Sequence, residues 1–219
     1  MRFHDRADAG RFLAGKLRDY RQHEDLIVLA LPRGGVPVGY EVARSLGAPL
    51  DVFVVRKLGV PGHPELAMGA IASGGVCVLN PDVVSALGSD AGEAIESVIA
   101  DETEELKSRE KRYRDDRPFP DVRDRTVILV DDGLATGATM RAAARAVRQQ
   151  GPRKIVVAVP VAAETSCREF RDEVDEVICA VTDENFYAVG QFYEDFSQTP
   201  DEEVRELLAR AAKNQEDTK

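Results

Sequence analysis

Asp131 and Asp132 stand side by side at the end of an apolar β-branched run, within the segment VILVDDGLATGATM from Val127 to Met140. A short Gly/Ala/Thr loop follows them, then a helical pattern from about Met140. That order predicts a strand, a tight turn and a helix N-terminus. Small residues let backbone amides close on a phosphate, and the helix end favours an anion. Two carboxylates on such a loop repel phosphate, so they need another task. A phosphorylated sugar reconciles the two: the acids take its hydroxyls and the loop takes its phosphate. The plainer alternative is a buried parallel strand that ends in an acidic turn.

Two other places carry polar chemistry after an apolar run. Leu31-Pro32-Arg33-Gly34-Gly35 follows one predicted strand, and its paired glycines let the backbone approach a ligand. Arg56-Lys57 follows another, Val52 to Val55, and supplies two cations. Ligands of open parallel sheets collect outside the carboxyl ends of the strands, so three such ends predict one shared rim.

The remaining elements must hold that rim together. Helical spacing marks Asp5 to Tyr20, Val36 to Leu46 ended by Gly47, Glu93 to Arg114, Ala138 to Gln150 capped by Gly151, Glu164 to Arg171, and a last helix from about Asp201. Nearly continuous apolar runs mark strands at Leu26 to Leu31, Lys154 to Pro160 and Glu176 to Val181. Leu66 to Leu79 predicts two short strands around Ser73-Gly74-Gly75. Glycine and proline punctuation predicts a loop over Leu58 to Pro64. The fold class expected is α/β, a Rossmann-like parallel sheet with helices on both faces. A single domain over residues 1–219 is the simplest organisation, with additions at about 76–118 and 183–219. The thin apolar stripe of the charged helix Glu93 to Arg114 suits either a helix lying on the domain or an arm at a subunit contact.

Composition narrows the classes. The chain of 219 residues is 43% hydrophobic and 31% charged, enough for a core inside a wet surface. Its formal charge of −10 disfavours nucleic acid and anionic membrane as partners. The same charge requires any polyphosphate site to be locally positive. Cys77, Cys167 and Cys179 form no zinc-like cluster and read as three thiols in a reducing compartment. The polar start MRFHDRADAGRF lacks a signal-type apolar run, and no run reaches membrane-spanning length. A cytoplasmic protein is expected.

The segment VILVDDGLATGATM resembles the 5-phosphoribosyl-1-pyrophosphate (PRPP) motif of type I phosphoribosyltransferases. Val127 to Val130 match the strand, Asp131 and Asp132 the acids, and Ala135, Thr136, Gly137 and Thr139 the phosphate loop. Gly133 departs from the pattern, where an aliphatic residue or Ser is usual. The resemblance implies that Asp131 and Asp132 are catalytic and hold the ribose hydroxyls, partly through Mg²⁺. It implies that Ala135, Thr136, Gly137, Ala138 and Thr139 wrap the 5-phosphate, with the two threonines as side-chain donors. Arg33, Gly34 and Gly35 then match the pyrophosphate loop, where the family carries a non-proline cis peptide; here it would fall between Pro32 and Arg33. Arg56 and Lys57, in VRKLGVPG, resemble the pyrophosphate-facing strand end of adenine phosphoribosyltransferases.

The implied reaction is Mg²⁺-dependent transfer of 5-phosphoribosyl from PRPP to an unidentified nitrogen acceptor, a nucleobase being one candidate, with pyrophosphate released. A PRPP or nucleotide sensor with little turnover stays open, as does a hydrolase or phosphorylase. Phe186, Tyr187, Phe192 and Tyr193 could stack on an acceptor or pack the tail onto the core. Val159-Pro160-Val161 stands about where purine-salvage members place a Lys that reads a 6-oxo group. The family also uses a mobile loop to cover the site, here Gly59 to Gly69 with His63 and Glu65 as its polar groups. The resemblance further implies a homodimer.

Overall fold

The computed structural model describes residues 1–21, 23–88, 91–115 and 117–216. Its main sheet has five parallel strands: β1 (Leu26–Ala30), β2 (Leu50–Val52), β6 (Thr126–Val130), β7 (Lys154–Ala163) and β8 (Glu176–Asp183). Their order is β2-β1-β6-β7-β8. From β1 the chain builds outward first to one side and then, at β6, to the other. The carboxyl ends of β1 and β6 therefore flank the point where ligands collect in such sheets.

Successive side chains of a strand point to opposite faces, which divides the core in two. Leu26, Val28, Ile128 and Val130 pack against α1 (Arg6–Lys16) and α2 (Gly35–Leu46). Ile27, Leu29, Val127 and Leu129 face α5 (Ala138–Gln149) and α6 (Glu164–Phe170). Both faces are covered, so past their first residues, Thr126 and Lys154, the central strands β6 and β7 are apolar throughout, as is β1. The parallel α/β sheet expected from the sequence is the one found.

The segment after β2 corrects two expectations. The strand expected over Val52 to Val55 stops at Val52, and the chain leaves the main sheet through Phe53 and Val54. A second, antiparallel sheet then forms from β3 (Val55–Val60), β4 (His63–Ala72) and β5 (Val76–Leu79). Arg56 and Lys57 lie inside β3 and not at a carboxyl end of the main sheet. The loop expected over Leu58 to Pro64 is the tip of the β3–β4 hairpin, with His63 and Glu65 exposed at the start of β4. Gly62 turns it with φ of 79°. The pairing shifts register on both sides of Gly59, where a Cβ would lie 2.8 Å from the Pro64 backbone. Glycine and proline here serve a bulged crossing of two strands.

Helix α3 (Pro81–Ala86) follows; α4 (Gly92–Arg114) then lies on this sheet, and α7 (Asp201–Glu216) packs against α2, α4 and β2. The α4 stripe is buried, with Ile95, Leu106 and Tyr113 packed among Leu58, Met68, Val204 and Leu208. Arg114, only 3% exposed, ties the two sheets. It donates to Ser73 Oγ in the β4–β5 turn and to Glu110, and it faces Asp51 of β2 at 3.3 Å. Among the described residues, no helix is long and apolar enough to cross a membrane.

The cysteines also depart from expectation. Cys167 on α6 is bonded to Cys179 on β8, and Cys77 is free and exposed. The two partners are 12 residues apart across a helix-to-strand connection, a spacing that signals no pairing in sequence. Closing a loop of that length restricts the unfolded chain and is worth about 3 kcal/mol. Cys167→Ser should therefore lower Tm in oxidising buffer and abolish the effect of a reductant on Tm. A wild-type melt unchanged by phosphine reductant, with both thiols already titrating, would contradict it.

Candidate active site

The turn after β1 and the turn after β6 touch. Pro32 and Arg33 are joined by a cis peptide, in the place the family resemblance implied. Gly34 and Gly35 then run directly beneath the acids. A Cβ on Gly34 would lie 2.1 Å from Asp132 Oδ2, and one on Gly35 would lie 2.8 Å from the Val130 carbonyl oxygen and 2.9 Å from Asp131 Cα. The paired glycines are thus required by closeness to the acidic turn itself.

Asp131 and Asp132 share the floor of this site. The Asp132 backbone N–H donates to Asp131 Oδ1 at 2.8 Å, and the Tyr193 hydroxyl donates to the Asp132 carbonyl at 2.6 Å. Burial pushes the Asp131 carboxyl well above the usual carboxylate range, and the adjacent Asp132 charge adds to the rise. Asp132 is also raised by burial, against the pull of Arg6. Tyr193 is raised by burial and by the Asp132 charge.

The loop beyond the acids is built to leave amides free. Leu134 bonds to the end of β7, donating to the Val161 carbonyl and accepting from Ala163, each at 2.9 Å. Gly137 adopts the left-handed conformation, φ 72°, and turns the chain into α5. A Cβ there would also lie 2.5 Å from the Phe170 ring. The α5 N-terminus has no side-chain cap, so its first N–H groups point outward unpaired within the helix. Ala135, Thr136, Ala138 and Thr139 are exposed around it. Together with Asp131, Asp132 and Val189 this loop lines a cavity of about 240 Å³.

The expected cations are distributed differently. Arg33 lies 3.6 Å from Asp201 at the start of α7. Arg56 is paired with Glu102 of α4 at 2.6 Å. Lys57 is exposed and shares a groove with Ala138 and Arg141, next to the first turn of α5. Of the three polar strand ends expected on one rim, the structure joins two directly and brings Lys57 alongside from the second sheet.

The aromatic tail resolves in favour of packing for two of its rings. Phe192 is 5% exposed and Tyr193 1%, within a cluster formed with Phe3, Ala9 and Val161. Phe186 stacks on Phe192 with centroids 5.3 Å apart, and Tyr187 is 89% exposed. Of the two roles open to them, Phe192 and Tyr193 take the packing one, with their faces turned to the protein. Gly133 acquires a reason as well, because a Cβ there would lie 2.5 Å from the Val189 side chain. The missing side chain admits the tail.

Three contributors escaped the sequence. Arg6 donates from Nε to Asp132 Oδ2 at 2.8 Å, across 126 positions. Ser166 of α6 donates its hydroxyl to the Ala135 carbonyl. Phe170 supports Gly137 from below. Only Arg6 left a trace: it is the first residue of α1, after the N-cap Asp5, where the helix dipole disfavours a cation.

Comparison with known proteins agrees with this geometry. Residues 2–197 match the family model described as phosphoribosyl transferase domain. Two Mycobacterium tuberculosis proteins, from strains CDC 1551 / Oshkosh and H37Rv, carry provisional phosphoribosyl transferase names. Each is 49% identical over 209 residues, which is 95% of this chain and 47% of theirs. The chain thus spans about half the length of the curated relatives it matches. The crystal structure of TT1426 from Thermus thermophilus is 44% identical, with a TM-score of 0.85 over 96% of this chain and 99% of that one. A parallel sheet whose β1 and β6 turns meet at the acidic pair, matched over nearly its whole length, places this chain in the type I phosphoribosyltransferase family.

Proposed function

We propose that the protein transfers the 5-phosphoribosyl group of PRPP to a nitrogen acceptor and releases pyrophosphate. One observation carries this reading: an acidic pair and an uncapped helix N-terminus share one loop, directly against a glycine-paired turn. The loop suits the 5-phosphate, the acids suit the 2- and 3-hydroxyls, and the turn suits pyrophosphate. Family membership and the relatives' names support the reaction class.

Two adjacent, largely buried carboxylates also fit a hard divalent cation, which favours oxygen ligands and keeps several waters or substrate oxygens. Asp131 and Asp132 would hold Mg²⁺, directly or through the ribose hydroxyls. When bound, the ion neutralises charge on the departing pyrophosphate. The chain's own contribution is positional. The acids hold the ribose so that C1 faces the acceptor, and the amides of residues 135–139 fix the far end. The C1–O bond to pyrophosphate breaks ahead of attack, and Arg33 and Lys57 are the cations assigned to the charge that develops on the leaving group.

A second reading makes water the acceptor. Pyrophosphate release measured with PRPP and Mg²⁺, with and without a panel of nitrogenous bases, separates the two. Release that requires one base is expected. Release independent of any base would replace transfer by hydrolysis. Tight PRPP binding with no release would replace catalysis by sensing.

A further inference from the structure

The guanidinium of Arg6 is held by three different interactions. Nε donates to Asp132 Oδ2 at 2.8 Å, a terminal nitrogen donates to the Ser197 carbonyl at 2.6 Å, and the plane lies 4.1 Å over the Phe196 ring. Two of these partners belong to the tail segment just past Tyr193, whose hydroxyl already holds the Asp132 carbonyl. The same tail runs beside the N-terminus: Phe3 N–H donates to the Phe192 carbonyl at 2.7 Å, and Glu194 N–H donates to the Phe3 carbonyl at 2.8 Å. Residue 132 is therefore gripped at its backbone and at its side chain by one assembly.

Arg6 also borders the turn after β1, where its Nε would lie 3.2 Å from a Cβ on Gly34. Its side chain is only 12% exposed, so the contact is a fixed part of the site. The pairing spends one oxygen of the Asp132 carboxylate and sets the plane in which the other is presented. A planar guanidinium can bond edge-on and stack face-on together, which a lysine ammonium cannot do.

We infer that Arg6 is a positioning residue of the phosphoribosyl site, one that aims the Asp132 carboxylate at the ribose and fastens the 192–197 segment over it. The inference rests on the PRPP reading given above. It links the placement of the Asp132 carboxylate to the anchoring of the tail. Loss of Arg6 should therefore weaken sugar-phosphate binding and loosen the tail together.

The test is PRPP binding by calorimetry with Mg²⁺, alongside hydrogen exchange of the amides at 193–197. Wild type is compared with Arg6→Ala, Arg6→Lys and Phe196→Ala. A buried charge-assisted bond of this kind predicts about tenfold weaker binding or more for Arg6→Ala, with faster exchange in the tail. Arg6→Lys should restore part of the affinity. Phe196→Ala, which leaves the Asp132 pair in place, should lose less than Arg6→Ala while exchange still rises. If Arg6→Ala fails to fold, the other two variants decide, and wild-type affinity in both overturns the inference. A folded Arg6→Ala that binds PRPP like wild type overturns it alone. Wild type that binds no PRPP overturns the functional reading and the inference with it.

Discussion

Asp131→Asn and Asp132→Asn are each expected to cut pyrophosphate-releasing turnover by about two to three orders of magnitude, the loss seen when a preorganised transition-state contact is removed. The fold should survive. The backbone bonds of residue 132, through its N–H and carbonyl, survive either substitution, and only the side-chain pair with Arg6 is weakened. Stability carries the sharper signature. The Asp131 pKa is raised in the folded state by burial and by its neighbour's charge. A raised carboxylate pKa means that the folded protein binds the proton more tightly than the unfolded chain. Stability is then greatest below the ordinary carboxylate pKa and falls as pH rises through the window up to the raised value. At neutral pH, Asp131 is a cost to the fold, and a neutral amide removes it. In chelator-treated buffer, Asp131→Asn should melt at the same temperature as wild type or higher, and the decline of Tm with rising pH should flatten. Activity lost while stability is gained is the mark of a residue kept for function. Asp132→Asn gives up the Arg6 ion pair, so its melt should stay near wild type. Full turnover and Mg²⁺-dependent PRPP binding in Asp132→Asn would remove the acids from the mechanism.

What could be read from sequence was what lies close in sequence. The acidic turn, the loop and the α5 N-terminus form one uninterrupted segment, so chemistry and geometry appear together. The glycine pair after β1 was legible for the same reason, although its true neighbour, the backbone of β6, lies about a hundred positions away. Sheet membership was not legible between Val52 and Val60. That stretch is β-prone throughout, and only its partners decide that Val52 pairs with Ala30 while Val55 pairs with Ala72. Arg56 and Lys57 were misplaced by that ambiguity. Punctuation misled at the hairpin, because Gly59 and Pro64 mark a bulge and only Gly62 a turn. Ser166 and the Cys167–Cys179 bond depend on contacts between elements, which no local pattern encodes, and the unfavourable place of Arg6 at the start of α1 does not name its partner.

The second large effect concerns the seam between β1 and β6. Gly35→Ala should lose most activity and a moderate part of stability. The new methyl would meet the Val130 carbonyl oxygen at 2.8 Å and Asp131 Cα at 2.9 Å. Both are backbone atoms of the β6 exit, so neither can rotate away. The strain must be relieved by moving α2 and the Pro32–Gly35 turn off the acidic turn. Overpacking of this kind costs about 1–3 kcal/mol of stability. A shift of about 1 Å between two walls of a site can cost on the order of 100-fold in rate. Gly39, one turn along α2, supplies the control. Its added methyl would meet Ala30 Cβ at 2.8 Å and Leu50 Cδ1 at 3.3 Å, under the helix, with neither acid among its nearest neighbours. Gly39→Ala should match the loss in Tm and keep far more turnover. Equal activity in the two variants at equal Tm would mean that rigidity of the sheet, and not the approach of the glycine turn to Asp131 and Asp132, sets the reaction geometry.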